Sequence, residues 1–457
     1  MSTFSFNPQD GNDSHLLSSA ERLELLRAEK IAHRSEGVAQ ILQIPLATLI
    51  GVIALFCIAV FNLSDLGLGD DSDKISIDFT VLIKVGSLAL AGGYGLIGMT
   101  DAKVRRLMFS FPVVWIWIIF GFYCLGVVNS VLPKETIASA LSIACVLMLT
   151  TRLLVQVGVK TVLTILFHAM AVFVVVSWFL FLFVPEIGVF EEDIVDGQQF
   201  LRMGGLAHPN TLGQIAGMTV VFVCLLHRNY GELSRWRWII AFLALGALVA
   251  SVSRTSLVTT ALSIAFVYRE TFIKREYLPH VLGAAFLGII GFLALAATVD
   301  LGAMLESNLE SVSKSGDTEE LTSGTGRAEI WAYSMKLIGR SPLFGYGAAT
   351  SKWYLSDYSL YTHNLILNVA FSTGIFGGFA CLTMVIGRIR TLIHRPHPIA
   401  DSLIAFILFN GIAENVIFSI LCGLPTIVWI VALSMPVLDD IEKDDPKKRA
   451  IAMEGSQ

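Results

Sequence analysis

Twelve apolar runs punctuate the chain, at residues 41–61, 77–99, 109–130, 136–150, 161–185, 209–226, 238–251, 255–268, 278–299, 362–386, 399–413 and 421–438. A helix needs about 20 predominantly apolar residues to cross the hydrocarbon core of a bilayer. Most of these runs approach that length, and each predicts a membrane span. The stretch 238–268 is too long for one helix at about 1.5 Å per residue. Ser251-Val-Ser-Arg254 interrupts it, which predicts two spans joined by a tight turn. Composition excludes the soluble alternatives. Only 15% of the 457 residues are charged and 54% are hydrophobic, where a soluble domain carries about 25% charged residues. A water-soluble multidomain enzyme, a nucleic-acid binder and a disordered scaffold all need more charge. The expected fold is all-α, a polytopic membrane protein of about 12 transmembrane helices.

Basic residues orient the spans, because Lys and Arg collect in short loops on the cytoplasmic side. With the N-terminus inside, the inner short loops hold Lys103, Arg105, Arg106, Arg152, Lys160, Arg228, Arg235, Arg237, Arg269, Lys274, Arg275, Arg388, Arg390 and Arg395. The outer short loops hold Lys74, Lys134, Arg202 and Arg254 alone. Both termini are therefore expected in the cytoplasm. The chain then divides into a cytoplasmic segment 1–40, spans one to nine over 41–299, an outer loop 300–361, spans ten to twelve over 362–438, and a cytoplasmic tail 439–457. The first 40 residues are polar and lack the pattern of a cleavable signal peptide. Within them, residues 20–34 predict a short helix outside the bilayer.

Two outer segments stand apart. Residues 186–208 predict an acidic loop containing Glu191, Glu192 and Asp193. Residues 300–361 form a loop of a length that is usually functional or disordered. Its second part, RAEIWAYSMKLIGRSPLFGYG, has helical spacing at Ile330, Ser334, Leu337 and Ile338, followed by a Pro/Gly turn. The six cysteines (Cys57, Cys124, Cys145, Cys224, Cys381, Cys422) lie in or beside apolar runs without Cys-x-x-Cys spacing, and they read as small apolar residues. No internal repeat is present.

The polar residues that matter collect on the outer side. Arg202 opens RMGGLAHPNTLG, where His208, Pro209 and Asn210 introduce span six. Asn210 or Thr211 would cap that helix with Pro209 in its first turn. Arg202 is the basic residue of an acidic loop, so it either pairs with Glu191 or Glu192 or meets an anion. Arg254 lies between two apolar runs, where a charge either faces a cavity or snorkels to the headgroups. Arg327 opens GRAEIW, and His363 and Asn364 introduce span ten. A guanidinium grips diphosphate oxygens through a planar fork and stays charged. A histidine beside it accepts a proton from an acceptor hydroxyl near neutral pH.

Other ionisable residues are open to two readings. Asp70, Asp71 and Asp73 form either a solvated acidic turn or a cluster of hard oxygen ligands for a divalent cation. Lys84, two turns into span two, reads as snorkelling outward; His168 falls in mid-span five. Glu414, in the hairpin between spans eleven and twelve, is expected to face a cavity and pair with an arginine.

The stretch GRAEIWAYSMKLIGRSPLFGYG, followed by THNLILNVAFSTGIFGG, resembles the signature region of the O-antigen ligase and polymerase superfamily. RMGGLAHPNTLG and SVSRTSLV fit the same pattern in the same order, and the similarity covers roughly residues 200–415. The resemblance implies an integral-membrane type C glycosyltransferase of the bacterial inner membrane, working at the periplasmic face. Such an enzyme moves a glycan from an undecaprenyl diphosphate carrier to an acceptor glycan, which for the ligases is lipid A core. Membrane lipids surround it, and nucleic acid is no partner. The resemblance implies that Arg202, Arg254 and Arg327 bind the diphosphate and that His363 and Arg327 act in catalysis. His208, Asn210, Asn364 and Glu414 would support them. It further implies inversion at the anomeric carbon with no metal or other cofactor. Arg202 precedes Gly213 by eleven residues, a spacing that resembles the polymerases, but Arg327 and Gly339 are one residue further apart. That departure tilts the reading to a ligase, with a polymerase as the alternative. A secondary transporter or flippase is the alternative of another class; it would place charge and broken helices near the midplane and show inverted repeats. A sensor or structural membrane protein leaves the arginine series without a purpose.

Overall fold

The computed structural model describes residues 45–61, 79–193, 199–231, 235–269, 327–356, 361–418 and 420–444. The segment 1–40 with its predicted helix over 20–34, the predicted ninth span, the first part of the long loop, the acidic turn at Asp70, Asp71 and Asp73, and the tail beyond 444 lie outside the described residues. The chain falls into two compact units, Met1–Leu49 and Ile50–Gln457. The described part of the first holds only the opening turn of a helix, and all the later helices belong to the second.

The helices are α1 (Leu46–Val60), α2 (Phe79–Gly98), α3 (Ala102–Met108), α4 (Val114–Gly126), α5 (Pro133–Phe183) and α6 (Pro209–Tyr230). They continue with α7 (Arg235–Ala250), α8 (Arg254–Val267), α9 (Arg327–Arg340), α10 (Leu365–His394), α11 (Pro398–Gly411) and α12 (Leu424–Lys443). Eleven of the predicted apolar runs fall on these helices. Five of the helices are long and apolar enough to cross a membrane. Helix α5, at 51 residues, would extend about 77 Å if straight. Gly158 breaks it at φ 79 and ψ 163, leaving 133–157 and 159–183, each long enough for a crossing.

Burial separates the interior helices from those with a free apolar flank. The most apolar stretch of α6 is 89% buried and that of α12 is 78% buried, against 39% for α2 and 44% for α5. Outward-facing Leu82, Leu90, Leu96, Phe179, Phe183 and Phe242 are the side chains expected against lipid. The cysteines follow the same division: Cys224, Cys381 and Cys422 are buried, Cys57 and Cys145 half-buried, and Cys124 exposed.

Lys84 does not snorkel. It is fully buried, and its ammonium donates to the carbonyls of Ile58 (3.0 Å) and Phe61 (2.9 Å). The last carbonyls of a helix have no intrahelical partner, and a cation there satisfies them and meets the negative end of the helix dipole. His168 lies on an exposed flank of α5, with Nδ1 against the Thr164 carbonyl and its ring 5.3 Å from that of Trp236. Arg152, expected in a loop, is a buried helical residue whose guanidinium stacks 3.9 Å from the Tyr94 ring and donates to the Tyr94 carbonyl. A buried ion triad ties α10 and α11 to the residues just after α8: Asp401 accepts from Arg388 at 2.6 Å and from Arg269 at 3.2 Å. The triad is enclosed, so losing one member would leave an uncompensated charge in the interior.

The all-α expectation needs one correction. Residues 186–208 are not an irregular loop: Val189–Asp193 (β1) and Gln199–Met203 (β2) form an antiparallel hairpin, with Phe190 opposite Arg202 and Glu191 opposite Leu201. Pairing satisfies the backbone groups of a segment that would otherwise leave them open beside an apolar interior. Gly204 and Gly205 then donate their N–H groups to the Gly188 carbonyl, turning the chain into α6.

Candidate active site

Four helices begin at one place. The first turns of α6, α8 and α9 and the residues preceding α10 carry Asn210, Thr255, Arg327 and His363, and hydrogen bonds link these side chains through Glu414. Helix N-termini present unpaired N–H groups and the positive end of the dipole, so their convergence favours an anion.

Glu414 is the hub. It follows the end of α11, and its Oε1 accepts from Arg327 Nη2 at 3.0 Å and from Asn210 Nδ2 at 3.4 Å. Its Oε2 faces His363 Nδ1 at 3.1 Å. A carboxylate only accepts, so this bond puts the proton on Nδ1 and leaves Nε2 as the lone-pair nitrogen of the neutral ring. Arg327 also donates from Nη1 to Thr255 Oγ1 at 3.1 Å. The side chains of Arg327 and His363 are each 21% exposed and that of Glu414 15%. The group is accessible from one side and held from the other.

Arg202 enters from the hairpin. Its Nε donates to the Ser251 carbonyl at 2.9 Å and its Nη2 to Asn210 Oδ1 at 2.7 Å. Residues opposite each other in a hairpin share a face and neighbours along a strand do not, so Arg202 points with Phe190 and away from exposed Glu191. The register therefore opposes the expected pair with Glu191, while the alternative partner Glu192 has its side chain outside the described residues. Arg202 is 4% exposed and bridges β2 to the turn between α7 and α8. Arg254 is the first residue of α8 and half-buried, directly before Thr255.

Two supporting residues are caps. His208, not Asn210 or Thr211, is the N-cap of α6, its Nδ1 accepting from the Asn210 N–H at 3.3 Å. Its ring meets Phe190 edge-on at 4.8 Å. The exchange releases the Asn210 amide to link Arg202 with Glu414. Asn364 is the N-cap of α10, accepting from the N–H groups of Ile366 and Leu367, both at 3.0 Å. Asn364 is thus a structural residue that fixes where His363 stands.

The predicted helix over the GRAEIW segment is present as α9, with Ile330, Ser334, Leu337 and Ile338 all buried. The Pro/Gly turn after it is a backbone dock. Tyr346 and Gly347 donate to the carbonyls of Phe371 (2.9 Å) and Ser372 (2.9 Å), and Ile375 donates to the Pro342 carbonyl (2.7 Å). The dock sits where α10 breaks at Gly374 (φ 81, ψ 179). A Cβ on Gly345 would lie 2.6 Å from the Gly374 nitrogen, so only glycine lets the two segments approach. Tyr346 packs 4.4 Å from the Tyr354 ring and donates to the Leu337 carbonyl, and burial holds its phenol above the ordinary value. A cavity of about 400 Å³ lined by Val131, Leu132, Trp353 and Tyr354 contains none of the polar site residues.

Thr255 and Asn415 are the contacts that sequence reasoning missed. A lone threonine or asparagine at the edge of an apolar run has no spacing that distinguishes it. The available signal was Glu414, the one charged residue in 402–438, with Asn415 beside it.

Residues 239–382 match the family model described as O-antigen ligase. The match bears out the resemblance read from the motifs, over a shorter stretch than 200–415. Arg254, Arg327, His363 and Asn364 lie inside it; Arg202, His208, Asn210 and Glu414 lie outside. It supports a membrane glycosyltransferase of the ligase or polymerase type. No curated protein matches the chain significantly.

Proposed function

We propose, from the O-antigen ligase match of residues 239–382, that the protein is a ligase-type glycosyltransferase of the bacterial inner membrane. It would transfer an undecaprenyl-diphosphate-linked glycan to an acceptor glycan, such as lipid A core, at the periplasmic face. The basic-residue pattern supports twelve crossings with both termini cytoplasmic, which puts the arginine site outside.

One observation carries the reading: Glu414 joins Arg327 and His363, so an anion grip and a candidate base sit on opposite oxygens of one carboxylate. In this reading Arg327, Arg254 and Arg202, with the four helix N-termini, hold the donor diphosphate and stabilise the negative charge that grows on it as it leaves. The acceptor hydroxyl oxygen attacks the anomeric carbon. The bond from that carbon to the diphosphate oxygen breaks and its electron pair leaves with the diphosphate. His363 Nε2 takes the hydroxyl proton. Diphosphate is a good leaving group, so one displacement with inversion suffices, and binding supplies the alignment. The reading assigns no cofactor.

A ligase is preferred to a polymerase on the spacing of the second arginine–glycine pair. Gly213 is closely packed, with a Cβ there lying 2.7 Å from Ser251 Oγ, whereas a Cβ on Gly339 would meet nothing within 4 Å. The pair 327–339 therefore does not repeat the packing of the pair 202–213. A transporter is disfavoured because the described arginines of the site gather at helix ends and not midway along them.

Arg327→Ala and His363→Ala are expected to abolish surface glycan ladders on gels while protein levels in the membrane stay unchanged. A normal ladder from either variant would remove the proposed roles.

A further inference from the structure

His363 is held in a backbone conformation that a histidine rarely adopts. Its φ is 46°, in the left-handed region, and such strain persists only where the surroundings enforce it. The enforcing group is the side chain of Asn415. Its Oδ1 accepts from Thr362 Oγ1 at 2.9 Å on one side of His363 and from the Asn364 N–H at 3.2 Å on the other. A backbone N–H can only donate, so the atom facing it is the amide oxygen and the flipped amide is excluded. Asn364 Nδ2 adds a bond to the Ile412 carbonyl at 3.0 Å, and Trp331 Nε1 reaches the His363 carbonyl at 3.3 Å. The short segment 412–415 thus supplies the carboxylate that meets the imidazole and the oxygen that fixes the imidazole's backbone.

We propose that Asn415 is a positioning residue: its side-chain oxygen staples the chain on both sides of His363 and so holds the imidazole against Glu414. The inference rests on the reading of His363 as the base. A base displaced by about an ångström costs about 100-fold in rate without weakening substrate binding to match.

The test uses the full-length protein purified in detergent, with a lipid-linked glycan donor and its acceptor. Asn415→Ala is expected to lower kcat by about 100-fold with little change in KM for the donor. Asn415→Asp, which keeps an acceptor oxygen in place, is expected to recover about tenfold of that loss. Thr362→Val breaks one of the two bonds and is expected to fall between wild type and Asn415→Ala, which keeps the test alive if the alanine variant fails to fold. Unaltered kcat in folded Asn415→Ala, a rise in KM alone, or a loss in Thr362→Val matched by its loss of folded protein in melting curves would overturn the proposal. An inactive His363→Ala beside an unaffected Asn415→Ala overturns this inference alone. A fully active His363→Ala removes the reading of the site and the inference with it.

Discussion

The identity of single side chains matters most at Glu414, where charge and hydrogen-bond polarity are used together. It neutralises Arg327 on one oxygen and selects the tautomer of His363 on the other. Glu414→Gln keeps the size but presents one acceptor and one donor. With the acceptor toward Arg327, the amide turns a donor on Nδ1 and forces the ring proton to Nε2. The expected result is a fall in kcat of about 100-fold or more at a similar KM for the donor, and a variant turning over at the wild-type rate would contradict it. At this scale the sequence disclosed chemistry better than partnership. Arginine and histidine were legible because their chemistry at a membrane face is narrow. Partners were not: Arg202 spends bonds on Ser251 and Asn210, and Asn210 is freed for that because His208 takes the cap.

Elements place these side chains, and α10 shows how. Its first stretch, 365–373, begins beside His363 and ends at the break at Gly374, where the Pro/Gly turn docks through main-chain bonds. Asn129 adds bonds to Ser341 Oγ at 2.8 Å and to the Gly345 carbonyl at 2.9 Å. The Pro-Leu-x-Gly-x-Gly motif is thus architecture that seats the stretch leading to His363. Gly374→Ala adds about 1–3 kcal/mol of backbone strain, and its Cβ would lie 2.6 Å from the Pro342 carbonyl oxygen. The variant is expected to melt at a lower temperature in detergent and to lose transfer activity, and an unchanged melting temperature would contradict this account of the turn. Helices with strong periodicity, α9 among them, were readable in advance. The hairpin was not read, because VFEED and QFLRM alternate weakly, although Asp196-Gly197 between them is a turn signal. The break in α5 was legible in part: Gly158 falls between the predicted runs 136–150 and 161–185, but the near-continuity of the helix through that interval was not readable.

Across the whole molecule, scarcity of charge is the organising fact. Interior helices such as α6 and α12 carry their apolar residues inward, while α2 and α5 keep a flank for lipid. Some of the described charges are locked in buried pairs, as at Asp401 with Arg388 and Arg269, and others meet where four helices begin, as at Arg327 with Glu414. The first arrangement serves stability and the second suits an anionic substrate. The most direct test of the second is a transfer assay with purified protein, an undecaprenyl-diphosphate-linked glycan, and lipid A core either added or withheld. The account predicts a new glycosidic bond only when core is present, with release of undecaprenyl diphosphate and loss of the reaction in His363→Ala. Chain growth without core would identify a polymerase, and donor crossing a vesicle membrane with no bond formed would contradict the enzyme altogether.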